Sequence, residues 1–277
     1  MALVTLAEVL NDAYRNGYAV AGFNFYTYED ASAIVRGAEE LDSPVILMAS
    51  GKAIKHLGVD YAASTVKVLA ERASVPVVAH LDHATDLKTI FQAIKHGFTS
   101  VMYDGSMLGI DENIKNTKLV VSVARALGVS VEAEIGRVGM SEEGEDIGEI
   151  LTDPDSASEF YDSTGVDALA VAIGSAHGMQ KQEASLDLDL AREIHESVDV
   201  PLVLHGSSGV RDEDLRQIAR YGFAKINIGT KLKHVFAQGI RDLCNSSTYV
   251  PDPLKIVVNA SQEISHVVKE KIALLRE

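Results

Sequence analysis

Residues 75–103, VPVVAHLDHATDLKTIFQAIKHGFTSVMY, hold one complete turn of the pattern that decides the fold. Pro76 pushes Val75 out of the helical region and closes the preceding segment. Residues 77–81 read as a short buried strand, and the polar pair Asp82-His83 ends it. Over 86–96, Leu87, Ile90, Phe91 and Ile94 recur at helical spacing, Gly97 stops the helix, and 100–103 begin another strand. Strand, helix and strand in about 30 residues make a βαβ unit.

The same rhythm runs outward in both directions. Residues 19–23, 45–49, 77–81, 100–103, 129–135, 168–173, 202–204 and 224–228 read as eight short buried strands. Helical spacing falls between them at 29–41, 61–73, 86–96, 113–127 and 212–221. Ser43-Pro44 and Val200-Pro201 introduce strands as Val75-Pro76 does, and Tyr221-Gly222 ends a helix as His96-Gly97 does. Eight alternating units favour a parallel closed sheet, the (β/α)8 TIM barrel, over an open doubly wound sheet, with 1–277 forming a single barrel domain. A C-terminal helix over 259–276 is expected to pack across the barrel's outside or against a second subunit. Residues 137–152 (RVGMSEEGEDIGEILT) and 178–187 break the rhythm, so they are expected to be loops after strands five and six, the first long and mobile.

Composition narrows the function. With 47% apolar residues, 21 glycines and 6 prolines in 277 positions, the chain can bury a large core. A net charge of -15 argues against a nucleic-acid or anionic-membrane surface, which would need clustered Lys and Arg. An anionic small substrate would then need a local pocket of amide N–H groups, metal and lysine. The single cysteine, Cys244, excludes an internal disulfide framework and a thiolate-rich zinc site, so a metal must use histidine and carboxylates. The N-terminal MALVTLAEVLNDAYRNG lacks a basic segment followed by an apolar core, and a cytoplasmic protein is expected.

In such barrels the chemistry sits at the carboxyl ends of the strands. Polar residues collect there: Asn24, Asp82-His83, Asp104, Glu132 and Glu134, His177, His205 and Asn227. His83, His177 and His205 come from three strand ends, and three neutral imidazoles suit a zinc ion with a fourth position open. The other six histidines, His56, His96, His195, His234 and His266 among them, are read as lying on solvated helices or loops. His205-Gly206-Ser207-Ser208-Gly209 and Asn227-Ile228-Gly229-Thr230 follow strands seven and eight, where small residues let backbone amides approach a phosphate.

Taken in order, Leu81-Asp82-His83, Glu132-Ala133-Glu134-Ile135-Gly136, Ser175-Ala176-His177-Gly178, His205 to Gly209 and Asn227 to Thr230 resemble the class II fructose- and tagatose-bisphosphate aldolases. The resemblance runs from Phe23-Asn24 to the C-terminal helix. It implies a zinc-dependent lyase of carbohydrate metabolism, as in glycolysis, that reversibly cleaves a ketose 1-phosphate or 1,6-bisphosphate to dihydroxyacetone phosphate and an aldehyde. His83, His177 and His205 would hold the zinc, a Lewis acid for the C2 carbonyl and C3 hydroxyl oxygens. Asp82 would move the C4 hydroxyl proton, Asn227 would hydrogen-bond the enediolate, and Glu142 or its neighbour Glu143 would exchange the C3 proton. Gly178, Gly206, Ser207, Ser208, Asn227, Ile228, Gly229 and Thr230 would cradle the phosphate, with Lys181 closing over it. Asn24 and Ser50 would lie beside the substrate, a monovalent cation (Na+ or K+) near Gly178, Gly206 and Ser208, and Glu134 and Asp104 would bind zinc in an alternative pose.

One departure bears on the substrate. Relatives acting on bisphosphates carry Asp-Pro-Arg ahead of the last helix, the arginine reaching a neighbouring subunit's active site to bind the distal phosphate, which implies a homodimer or homotetramer. Here the string is Asp252-Pro253-Leu254-Lys255, so the second phosphate is expected to be absent or bound differently. Lys52, two residues past Ser50, offers another cation for a carboxylate or phosphate; an aldolase of inositol breakdown that releases malonate semialdehyde also has a basic residue there. Two rival readings are a metallohydrolase whose zinc activates water and a catalytically silent sugar-phosphate-binding barrel, which should have lost Asp82 or a zinc histidine.

Overall fold

The computed structural model describes residues 3–142, 145–179, 181–246 and 252–276. Eight parallel strands form the barrel: β1 (Val20–Asn24), β2 (Val45–Ser50), β3 (Val77–Ala84), β4 (Ser100–Tyr103), β5 (Ser130–Ile135), β6 (Ala168–Val171), β7 (Leu202–Leu204) and β8 (Phe223–Ile228). Each pairs with the next, and β8 closes on β1 with Lys225 opposite Val20 and Ile228 opposite Phe23. All eight sequence-read strands are present. A two-residue strand, Leu3–Val4, adds to the base of β3.

The period-2 alternation of strands divides the barrel wall. Outward positions such as Leu47, Ala79 and Val101 pack under the surrounding helices. Inward positions Val20, Ile46, Met48, Val78, Met102, Ala168 and Val203 meet Leu6, Val9, Leu10 and Ala13 of the helix Leu6–Asn16, which plugs the amino end. Further along the same inward rows the residues become polar: Met48 gives way to Ser50, and Val78 to His80 and Asp82. An apolar floor therefore lies beneath an ionisable layer at the mouth.

Two expectations about irregular segments need correction. Residues 137–152 are not a plain loop: Gly139–Glu142 and Glu145–Ile147 form an antiparallel hairpin, and Ala176–His177 joins Gly139–Glu142 in parallel. The pairing partner is another mouth segment rather than the core, so no hydrophobic periodicity announces it. The C-terminal helix is Pro253–Leu275, beginning six residues before 259, because Asp252 caps it through the Leu254 amide and Pro253 suits its first turn. It packs outside the barrel against the helices Tyr28–Glu39 and Thr230–Cys244. No helix among the described residues is long and apolar enough to cross a membrane.

Asp30 supplies a test of the packing under that helix layer. Its carboxylate closes a capping box with Thr27 and also accepts from the Tyr26 amide at 2.9 Å. Burial pushes this carboxyl from an ordinary 3.8 up to about 6, against the pull of those amides. Between these values the native state holds a proton that the unfolded chain releases, so the group's contribution to stability falls as pH rises, by up to about 3 kcal/mol above pH 6. Asp30→Asn does not titrate. Denaturant unfolding should show the stability gap between the two proteins moving toward the variant from pH 4 to pH 7; a constant gap would refute the buried titration.

Candidate active site

β3 continues beyond its apolar run through Asp82-His83-Ala84, and His83 adopts φ 50, a left-handed conformation unusual for a side-chain-bearing residue. The ladder to β4 is interrupted between Leu81 and Ala84. This costs on the order of 1 kcal/mol and marks a position held by its surroundings. His205 follows β7 directly and is fully buried. His177 does not end a barrel strand, as the sequence suggested. β6 stops at Val171, and His177 sits six residues on, in the small mouth sheet. The three histidines are therefore not at equivalent barrel positions, yet they converge: one nitrogen from each lies within 4.8 Å of the others.

The surrounding hydrogen bonds prepare these nitrogens. His83 Nδ1 donates to Asp104 Oδ2 at 2.8 Å, and Asp104 is itself held by the Ser106 amide and hydroxyl. His83 Nε2 is buried with no hydrogen-bond partner in the protein. Burial lowers the His83 pKa, but Asp82, Asp104 and Glu134 outweigh it and raise it to about 10, so the site favours a cation. Burial, with His83 and Lys225 nearby, holds His205 far below its ordinary value and therefore neutral. An orphaned buried imidazole nitrogen beside the neutral His205 ring and several carboxylates fits a divalent transition metal. His83, Asp104 and Glu134 form a second candidate group, in which burial and Asp104 raise the Glu134 carboxyl to about 8.

Asp82 is 4% exposed, and its two oxygens accept from Asn24 Nδ2 at 2.9 Å and Asn227 Nδ2 at 3.2 Å. Burial raises its pKa, but His83, Lys225, His205 and the Asn24 amide prevail and hold it below the ordinary carboxylate range. It is a desolvated, ionised carboxylate with fixed orientation. Asn227, expected to hydrogen-bond the enediolate, is engaged within the protein. Its N–H groups serve Asp82 and His205, and the buried atom left without a protein partner is Oδ1, an acceptor.

Asn24, Asp82, His83, Asp104, His177 and Asn227 border one cavity of about 370 Å³, which also brings in Ser50, Lys52, Gly206, Ser207, Ser208, Gly229 and Thr230. Ser50 doubles as the cap of the short helix Gly51–Leu57, which carries Lys52. The helix Thr230–Cys244 begins at this cavity without a side-chain cap, leaving its first amides available to an anion. Gly178 and Lys181 do not line the cavity: Lys181 is 81% exposed, with Nζ 3.9 Å from Glu183. The Ile228 side chain lies in the core, and Glu134 stands behind His83. Of Glu142 the structure describes only the backbone, at the end of a hairpin strand; Glu143 lies outside the described residues.

Several residues at the site were not anticipated. Tyr26, Thr85, Met140 and Lys233 line the cavity. Below it, His80 contradicts the reading of six solvated histidines: it is fully buried inside the barrel with Glu132 and Lys225. Strand alternation carries the missing signal, since His80 shares a face with Asp82, and Lys225 with Asn227.

The comparisons with known proteins agree with this geometry. The YdjI aldolase from Escherichia coli K12 is 34% identical, with a TM-score of 0.87 over 99% of this chain and 97% of its own. A provisionally named fructose-1,6-bisphosphate aldolase from Coccidioides immitis is 29% identical, with a TM-score of 0.86 over 98% and 96%. The fructose-bisphosphate aldolase of Campylobacter jejuni, 22% identical with a TM-score of 0.84 over 99% and 95%, shares the fold. Residues 4–277 match the family "Fructose-bisphosphate aldolase class-II". A closed (β/α)8 barrel carrying a histidine triad and an ionised aspartate at its mouth, matched over nearly its whole length, places this chain in the class II fructose-bisphosphate aldolase family as a carbon-carbon lyase.

Proposed function

We propose that this aldolase is zinc-dependent and reversibly cleaves a ketose 1-phosphate or 1,6-bisphosphate to dihydroxyacetone phosphate and an aldehyde that need not be glyceraldehyde 3-phosphate. The observation that carries it is the convergence of three imidazoles beside one cavity lined by the buried Asp82 carboxylate and the amide-rich turns after β7 and β8. His83, His177 and His205 hold the ion, which when bound supplies Lewis-acid stabilisation of the negative charge developing on dihydroxyacetone phosphate. Asp82 takes the C4 hydroxyl proton as the C3–C4 bond breaks and returns it in condensation. Gly206, Ser207, Ser208, Gly229 and Thr230 bind the phosphate, and Glu142 exchanges the C3 proton. A Na+ or K+ ion near Gly206 and Ser208, a homodimeric or homotetrameric assembly, a single barrel domain and a cytoplasmic location complete the reading.

The aldehyde end is where this chain departs from bisphosphate enzymes. Leu254, in place of the expected arginine, is 63% exposed and outside the cavity, whereas Lys52 lines it. The test supplies dihydroxyacetone phosphate with aldehydes ending in phosphate, carboxylate or hydroxyl and measures product formation before and after chelation. Activity should vanish with the chelator and return with zinc. Lys52→Ala should raise KM for the anionic aldehydes about tenfold, the ~1.4 kcal/mol of one charge-assisted hydrogen bond, and spare the neutral one. Cleavage of fructose or tagatose 1,6-bisphosphate at micromolar KM, with 1-phosphates ignored, would eliminate the relaxed aldehyde; chelator-insensitive turnover would eliminate zinc.

A further inference from the structure

Directly beneath the histidine triad lies a charged layer that the reaction does not touch. Glu132, Lys225 and His80 are each 0% exposed. Lys225 Nζ lies 3.0 and 2.8 Å from the two Glu132 oxygens and 3.4 Å from His80 Nε2, so the three ammonium protons each have an acceptor. His80 then presents Nδ1–H to Ser100 Oγ at 2.8 Å. Fold stability is a poor explanation for such a layer. Burying each ion costs several kcal/mol, and apolar replacements of similar volume are often as stable or more so.

The remaining contact of the layer supplies a reason. Glu132 Oε1 lies 3.1 Å from His205 Nε2. We infer that Glu132, clamped by Lys225, is a positioning residue that fixes the His205 tautomer and ring so that Nδ1 presents its lone pair to the metal at the mouth. This rests on the metal reading given above. A carboxylate can only accept, so Nε2 must carry the ring's single N–H and Nδ1 must be bare. The Asn227 amide agrees with this tautomer, pointing Nδ2 at His205 Nδ1 from 3.1 Å, a contact that a bound ion would replace. His83 is set the opposite way: Asp104 accepts from Nδ1, and Nε2 is the nitrogen without a protein partner. Two ligands are thus turned by two carboxylates from different strands, one at the rim and one in the barrel interior. Lys225 serves by neutralising the interior carboxylate and holding both its oxygens, so that Glu132 neither swings toward the ion nor stands as an unpaired buried charge.

The test compares metal binding in the purified full-length protein carrying two kinds of change. The double variant Glu132→Leu/Lys225→Met is uncharged and of similar volume, so it removes the acceptor at His205 Nε2 without stranding a charge. Glu132→Asp keeps the ion pair but withdraws the carboxylate from His205 by one methylene. Both should bind zinc and cobalt 10- to 100-fold more weakly than wild type by competition with a chromophoric chelator, the usual scale for an outer-sphere carboxylate. Both should also shift the visible d–d bands of the cobalt form, which a general loss of stability would not do. Either variant, folded and matching the wild type in zinc affinity and cobalt spectrum, overturns the inference. Failure of the wild-type protein to bind zinc overturns the metal reading beneath it.

Discussion

Asp82→Ala is expected to lower kcat about 10³-fold in both cleavage and condensation while leaving zinc affinity within about threefold of wild type, since a positioned acid/base typically contributes 10²–10⁴. The separation of the two effects follows from the geometry. A carboxylate next to a metal ligand in sequence could act by orienting that ligand, and its loss would then strip the ion. Here that task belongs to Asp104, which accepts from His83 Nδ1 at 2.8 Å, while the Asp82 oxygens are held by Asn24 and Asn227. Asp82 is also kept ionised despite burial, so it can take a proton. Asp82→Asn keeps the shape without the basicity and should lose a similar factor. Retained turnover in the alanine variant would remove Asp82 from the chemistry; coincident loss of zinc would make it an orienting group.

What could be read from the chain before the fold was known depended on which partner each residue answers to. The eight strands answer to the core, so apolar runs and helix stops expose them, and barrel geometry then gathers Asn24, Asp82, His83, His205 and Asn227 at one mouth. The mouth hairpin answers to Ala176–His177, a contact with no periodic signature, and for that reason the sequence pattern alone places His177 at a strand end. The layer of His80, Glu132 and Lys225 was legible in principle. Alternation puts His80 two residues behind Asp82, and Lys225 two behind Asn227, but isolated polar residues inside an apolar run gain meaning only once their cross-barrel partners are known. Lys233, which also lines the cavity, lies one turn into the helix after β8, where nothing but placement distinguishes it from a solvated lysine.

Gly206→Ala should be nearly as damaging as the loss of Asp82, with kcat/KM falling at least about 10²-fold, although the added group is a single methyl. Gly206 has φ 67, in the left-handed region where a side chain costs roughly 1 kcal/mol, but that strain is the smaller part. A Cβ there would stand 2.6 Å from the Ala176 carbonyl carbon and 2.8 Å from its oxygen, and both atoms are backbone that no rotamer change can move aside. Ala176 belongs to the mouth strand that delivers His177, while Gly206 opens the turn Ser207–Gly209 beside His205. The two segments are already tied by Ser175 Oγ donating to the His205 carbonyl at 2.7 Å, and the turn is tied to β8 by Ser207 Oγ donating to the Asn227 carbonyl. Relief of the clash must therefore displace a metal ligand, the phosphate turn or both. The variant is expected to show a raised KM for dihydroxyacetone phosphate together with weakened zinc binding, a pairing that neither a phosphate-loop defect nor a ligand defect alone produces. A Gly206→Ala protein with wild-type KM and full zinc content would mean that the two segments are not coupled through this contact.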